Sequence, residues 1–334
     1  MVKDKRLRIK DTSFVFFGTD KIATGVLDVL KACGLVPSII ITQPDRPTGR
    51  HAYRQAGKRI LTPPPVKTWA MKNDIPILQP EKLHYGFSNN IVMNDCGFGI
   101  VVSYGKIIPK KVLDLFPMGV LNVHPSLLPK YRGPTPFQTA LLNGDGESGV
   151  SIILMDEEVD HGPILVNSKL EIVNSDTYTT LAEKLAKLGG EMLVGIIPKW
   201  IAGEIKAIPQ DHSRATYTRK FTSEDGFIKP ETILGNPVPT TWSLGDQVQE
   251  VEHAERQVRA LNPEPGTWTT LPRSDRSVGV GPLRVKILSA RIEPTPSANV
   301  LKNISLRLVP IRVIPAGKKE MSWEEFLRGN KIIN

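Results

Sequence analysis

The chain has 334 residues, 40% of them hydrophobic, 23% charged and 6% aromatic, and 43 Lys and Arg against 34 Asp and Glu give a formal net charge of +9. This composition excludes a wholly disordered or collagen-like chain, and the length points to two domains, since single cores stop growing near about 250–300 residues. Two cysteines, Cys33 and Cys96, exclude a disulfide framework, and without metal-type spacing they point to a reducing compartment and no structural zinc.

The charged stretch Lys3 to Lys10 is followed by an apolar run of only Phe14 to Phe17, too short for a secretory leader. No later run approaches the ~18 residues of a membrane helix, so a cytoplasmic protein is expected. Residues 14–17 read as a buried strand ending at Gly18, and 20–31 as a helix with Ile22, Val26, Leu27 and Leu30 on one face. An Ile-rich strand follows at 36–41. A short helix over 66–72 has its start fixed by Pro63, Pro64 and Pro65. Strands are predicted at 99–103, 119–124, 150–155 and 163–172, helical turns at 109–115 and 136–143, and a long helix over 177–203 with Asp176 as its cap. The stretch 206–210 reads as a short edge strand or a linker.

After residue 214 the texture changes. Helical periodicity is confined to 250–261, where Val251, Ala254, Val258 and Leu261 share a face, and to 322–328. Between them lie β-prone stretches at 283–288 and 304–313, broken by Pro and Gly. The alternating first part predicts an open, mostly parallel α/β sheet with helices on both faces, and the remainder a small, mainly β domain, a barrel. The expected division is 1–205 for the first domain, 206–215 for a linker and 216–334 for the second.

The strongest chemical signal is Asn122-Val-His-Pro-Ser-Leu-Leu-Pro129. Period-2 geometry puts Asn122 and His124 on one side of their strand, at its carboxyl end, where open α/β sheets bind ligands. A second polar element, Asp156 to Gly162 with Asp160 and His161, follows the next strand, and a parallel sheet would bring it alongside. Asn, His and Asp suit transfer of an acyl group to an amine: an amide N–H holds a developing oxyanion, and a His beside a carboxylate moves protons. Ser126 lies in no G-x-S-x-G elbow, which disfavours a covalent serine mechanism. Equally, an Asn-x-His strand end is often structural, and an acidic turn is often a solvated loop.

Gly18-Thr19-Asp20 completes no G-x-G-x-x-G, no P-loop is present, and no histidine spacing suits a metal, so neither a dinucleotide nor a metal is expected. From Gln43 to Lys67 the chain carries six basic residues against the single acid Asp45. Such a long basic loop is either a contact for nucleic-acid phosphates or a solvated insertion.

Taken together, these residues resemble the folate-dependent formyltransferases. The resemblance rests on Phe16-Phe-Gly-Thr19, Pro65-Val-Lys67, Tyr104-Gly105 with Ile107-Ile-Pro109, the Asn122–Pro129 block with Arg132-Gly133, and Asp156 to Gly162. Thr42-Gln-Pro-Asp-Arg-Pro47, Thr216-Tyr217, Arg259-Ala-Leu-Asn-Pro263 with Trp268, and Pro315-Ala-Gly-Lys-Lys319 resemble the branch of the family that acts on tRNA. The resemblance implies a Rossmann-like doubly wound formyltransferase domain followed by an OB-like tRNA-binding barrel. It implies transfer of a formyl group from 10-formyltetrahydrofolate to the α-amine of methionine on initiator tRNA, for translation initiation, by a monomer without metal or membrane attachment.

By the same resemblance Asn122, His124 and Asp160 are the catalytic trio. Ser126, Leu127, Leu128, Pro129, Ile107, Ile108 and Asp156 face the folate, and Arg46, Arg50, Arg54, Lys58 and Arg59 face the tRNA. The alternatives are a formyltransferase acting on a small amine such as a nucleotide sugar, or a non-catalytic RNA-binding protein. Three features depart from the family: His161 stands where a small residue is usual, 226–242 is longer, and 294–303 is hard to place.

Overall fold

The computed structural model describes residues 13–47, 54–55, 58–59, 61–83, 96–234, 244–272, 281–294, 306–330 and 332. The chain divides into two compact units. One comprises Met1–Pro136, Glu147–Glu171 and Leu181–Thr218, the other Phe137–Gly146, Ile172–Thr180 and Arg219–Asn334. Residues 206–215, read from the sequence as a linker, lie within the first unit. There Ile208 exchanges both backbone hydrogen bonds with Ile164 at 2.8 Å, so the edge-strand reading of 206–210 reduces to a single bridge.

The first unit is built on a seven-stranded sheet. In chain order its strands are β1 (Phe14–Gly18), β2 (Ile39–Ile41), β7 (Ile77–Leu78), β8 (Phe98–Val102), β9 (Val120–His124), β10 (Glu147–Leu154) and β11 (Ile164–Glu171), with two small ribbons, β3 to β6, between β2 and β7. The spatial order is β11-β10-β9-β8-β1-β2-β7. Pairing is parallel from β9 through β7 and antiparallel at β9–β10 and β10–β11. All five residues of β1 and of β8 are buried, which is why both read as unbroken apolar runs. The second strand is shorter than its apolar pattern, because Pro37 has no N–H for a ladder.

Helix α1 (Lys21–Ala32) is capped by Asp20, whose carboxylate accepts from the N–H groups of Ile22 and Ala23 at 3.0 and 3.2 Å. Helices α2 (Pro65–Lys72), α3 (Lys110–Leu113) and α4 (Pro136–Asn143) follow where the sequence places them. The long helix α5 (Tyr178–Ile201) starts one residue later than expected. Its first turn is closed by Thr177, whose Oγ1 accepts the N–H of Thr180 at 3.3 Å, whereas Asp176 accepts from Val173 N–H and the Thr180 hydroxyl. Paired glycines let α5 lie close on β9 and on α1: a Cβ at Gly189 would sit 2.6 Å from a Val123 methyl, and one at Gly190 2.6 Å from Val29 of α1.

From β1 the chain passes to β2 on one side, and later returns to β8 on the other. The carboxyl ends of β1 and β8 therefore flank the topological switch point, where open α/β sheets form their crevice.

The second unit carries a four-stranded antiparallel sheet: β12 (Thr267–Leu271), β13 (Leu283–Pro294), β14 (Leu306–Pro315) and β15 (Met321–Ser322), in that spatial order. Helix α6 (Pro230–Leu234) falls within 226–242, of which 235–242 lie outside the described residues, as do 295–303. Helix α7 (Leu244–Leu261) turns Val251, Ala254 and Val258 onto Ile287 and Leu308, as its periodicity predicts. It begins six residues earlier than that apolar face, because its first turns carry polar residues and no stripe. Helix α8 (Trp323–Gly329) opens with a Ser322–Glu325 capping box and closes a second small core through Phe326, Leu271 and Val313.

Candidate active site

Alternation along β9 sends Val123 against α5 and leaves Asn122 and His124 together on the opposite face. Asp160 reaches them by a different route from the one expected. Because β10 runs antiparallel to β9, Leu154 pairs with Leu121, away from His124, and the following loop has to double back. Two backbone features permit this. Gly162 lies so close to its own strand that a Cβ there would be 1.8 Å from the Leu154 carbonyl oxygen, and Asp160 adopts φ +51°.

The result is a shared carboxylate. Asp160 Oδ1 accepts from Asn122 Nδ2 at 3.1 Å and lies 3.4 Å from His124 Nδ1, while Oδ2 accepts the Gly133 N–H at 2.7 Å. His124 is buried, and its Nε2 lies 2.9 Å from the Tyr131 carbonyl oxygen; a carbonyl only accepts, so Nε2 carries the ring proton. The 3.4 Å contact at Nδ1 is longer than the usual N–H···O range of about 2.7–3.2 Å, so this nitrogen is less firmly engaged than Nε2. One amide donor, one imidazole and one carboxylate thus converge beyond the sheet, which is the donor and acceptor set an acyl transfer to an amine requires.

The remaining residues divide by burial. Ser126 donates its hydroxyl to the Lys130 carbonyl at 2.7 Å, and Leu128 donates its N–H to Ser151 Oγ at 3.0 Å; both are buried. Ile108 lies in the core with Tyr104. Leu127 and Pro129 are half-buried, Asp156 is partly exposed, and Ile107 is 78% exposed.

Three strand ends are tied together beside these residues. The Tyr104 carbonyl accepts from Thr19 Oγ1 at 2.9 Å and Gln43 Nε2 at 2.7 Å, joining the loops after β1, β2 and β8. The Tyr104 hydroxyl is buried without a partner, and burial pushes its pKa up to about 12. Ser103 donates to the Asp20 carboxylate across the switch point, and burial raises the Asp20 pKa despite that bond.

In the basic loop, Asp45 accepts from Lys67 at 2.7 Å and from Gln79 at 2.8 Å; these two bonds hold its carboxyl below the usual range and remove Lys67 from the free charge. Arg46 is exposed on β3 (Arg46–Pro47), opposite Thr62 of β6 (Leu61–Thr62). Arg54 of β4 (Arg54–Gln55) stands opposite Arg59 of β5 (Lys58–Arg59), and Gln55 opposite Lys58. Arg50 lies outside the described residues. Among the described residues, no group of three or more His, Cys, Asp or Glu could hold a metal ion, and no helix is long and apolar enough to cross a membrane.

The sequence gave no sign of Gln210. Its Nε2 donates to the carbonyls of both Asp160 and Gly162, at 2.9 and 2.7 Å, and its Oε1 accepts from Arg132 Nη2 at 2.7 Å. Arg132 is 2% exposed. A lone Gln in a loop carries no periodicity; only the fold shows that it grips the Asp160 turn.

A model of the formyl transferase family matches residues 12–197. The methionyl-tRNA formyltransferase of Chloroflexus aurantiacus is 36% identical over 330 residues, covering 94% of this chain and 96% of its own. That of Listeria welshimeri is 33% identical over 327 residues, covering 95% and 96%. Among solved structures, an N-formyltransferase from Helicobacter canadensis, in complex with folinic acid and dTDP-3-aminofucose, matches with a TM-score of 0.54 at 17% identity, over 89% of this chain and 98% of that one. This last likeness shows the fold.

Proposed function

The chain belongs to the methionyl-tRNA formyltransferase family, and we propose from this premise that it moves the formyl group of 10-formyltetrahydrofolate to the α-amine of methionine on initiator tRNA. The observation that supports this chemistry in the site is the Asp160 carboxylate shared by Asn122, His124 and the Gly133 N–H. The amine nitrogen attacks the formyl carbon, the bond from that carbon to N10 of the folate breaks, and the proton lost by the amine ends on N10. Asn122 and His124 stabilise the oxyanion that forms on the formyl oxygen. Asp160 holds both in place and receives the amine proton on its way to the folate.

The exposed Ile107, with Leu127, Pro129 and Asp156, offers the surface against which the folate lies. The antiparallel second unit, read as an OB-type barrel with 17 basic against 13 acidic residues over Arg219–Asn334, also binds the tRNA. The protein acts as a cytoplasmic monomer in this reading.

The direct test supplies 10-formyltetrahydrofolate with charged initiator tRNA, charged elongator tRNA or a nucleotide amino-sugar. Formylation of the initiator alone is expected; a preference for the sugar would overturn the assignment. Arg46→Ala should raise the KM for tRNA about 5- to 30-fold, at one lost phosphate contact of about 1–2 kcal/mol, with folate KM unchanged. Equal effects on both substrates would refute a tRNA role. Gly162→Ala, whose new methyl must displace the Asp160 turn, should lower turnover by about 10- to 100-fold. Single-turnover rates on the folded variant check this, and an unaltered rate would show that the turn has slack.

A further inference from the structure

His161, the residue that departs from the family pattern, does not face away from the site. Its ring stacks on His212 with centroids 4.1 Å apart and planes 4° from parallel, and its Nδ1 lies 2.6 Å from Asp156 Oδ2. His212 in turn meets Arg132: Nη2 of the guanidinium is 2.8 Å from His212 Nδ1. Arginine can only donate, so His212 Nδ1 accepts, and its ring proton sits on Nε2. The other partners of the Arg132 side chain are Gln210 Oε1 and the Tyr217 hydroxyl at 3.3 Å, with the Tyr217 ring 5.9 Å away. Among the described residues none of these partners is a carboxylate, so a guanidinium that is 2% exposed is held there by neutral acceptors.

These contacts close a circuit around the turn that carries Asp160. Gln210 grips the carbonyls of Asp160 and Gly162, Arg132 orients Gln210, His212 orients Arg132, and His212 stacks on His161, the residue next to Asp160. We infer that Gln210, Arg132, His212 and His161 are positioning residues that hold the Asp160 carboxylate against Asn122 and His124, with His212 Nδ1 as the acceptor that fixes Arg132.

His212 itself is exposed, so its part in the clasp is the contact it makes with Arg132 on one side and with His161 on the other. The inference rests on Asp160 belonging to the reacting centre.

Two variants and one control test it. His212→Phe keeps a stacking ring and loses the acceptor; its kcat should fall about tenfold or more at pH 7.5, with KM for folate and tRNA within about twofold. His212→Asn restores an acceptor oxygen without an imidazole. It should recover most of that loss. Unaltered kcat in His212→Phe, or no recovery in His212→Asn, would each overturn the clasp. Should His212→Phe fail to fold, Gln210→Met, which breaks the same circuit at the Asp160 turn, is expected to lower kcat with both KM values kept, and an unaltered kcat there would overturn the clasp. Asp160→Ala separates the two claims. Full turnover in that variant overturns the site reading and the clasp with it, whereas an inactive Asp160→Ala beside an indifferent His212→Phe overturns the clasp alone.

Discussion

Asn122→Ala and His124→Ala are each expected to lower formyl-transfer turnover by about 10²–10³-fold, or roughly 3–4 kcal/mol of transition-state stabilisation. The size follows from where the donors stand. Asn122 commits one amide proton to Asp160 and keeps the other for a substrate oxygen, and the site lies in a partly dry setting where Asp160 is 12% exposed. Asn122 is only half-buried and outside the apolar core, so its removal should leave the thermal midpoint nearly unchanged. His124 also bonds the Tyr131 carbonyl, and truncating it leaves that buried acceptor unpaired, with a stability loss of about 1–3 kcal/mol. Single-turnover formylation with saturating folate and charged tRNA, read beside thermal unfolding, separates the two effects. Near-normal turnover in a folded Asn122→Ala protein would remove the residue from the mechanism.

Arg132→Leu should lower the stability of the first unit by about 1–3 kcal/mol. The buried guanidinium satisfies Gln210 Oε1, His212 Nδ1 and the Tyr217 hydroxyl together, and its own backbone bonds Thr216 and Thr218 at 2.8 and 2.7 Å. Removing the side chain takes the donor from the buried Gln210 Oε1, whereas His212 and Tyr217 are exposed and turn to solvent. For a unit of this size the thermal midpoint would drop by roughly 2–12 °C. Arg132→Lys should recover little, because an ammonium cannot reach these separated acceptors in the plane the guanidinium spans. A midpoint shift below about 2 °C in Arg132→Leu would mean that the network relaxes around the gap, contrary to the full satisfaction seen at this side chain.

Much of the fold was legible because its signals are local. The unbroken apolar runs at Phe14–Phe17 and Gly99–Val102, the triple proline before α2 and the Val251–Ala254–Val258 face each report their own burial or backbone restriction, and each formed as read. The placement of Asn122 and His124 was equally legible, since the period of a strand alone puts them on one side. Less visible was anything that depends on strand direction. Residues 147–154 have the same apolar character whether they pair parallel or antiparallel, so the way Asp160 reaches β9 could not be read from them.

Sequence by itself determined the family chemistry: an amide, an imidazole and a carboxylate at the carboxyl edge of an α/β sheet, beside a loop with six basic residues and one acid. Tertiary structure alone decided how the carboxylate is delivered and what holds it. Gly162 against Leu154 and the positive φ of Asp160 deliver it, and the contacts from Gln210 through Arg132 and His212 to His161 join residues 48 to 80 positions apart. Such contacts carry no period and no local preference. They exist only once the chain is closed, because a buried polar group must find its partner in space rather than in sequence.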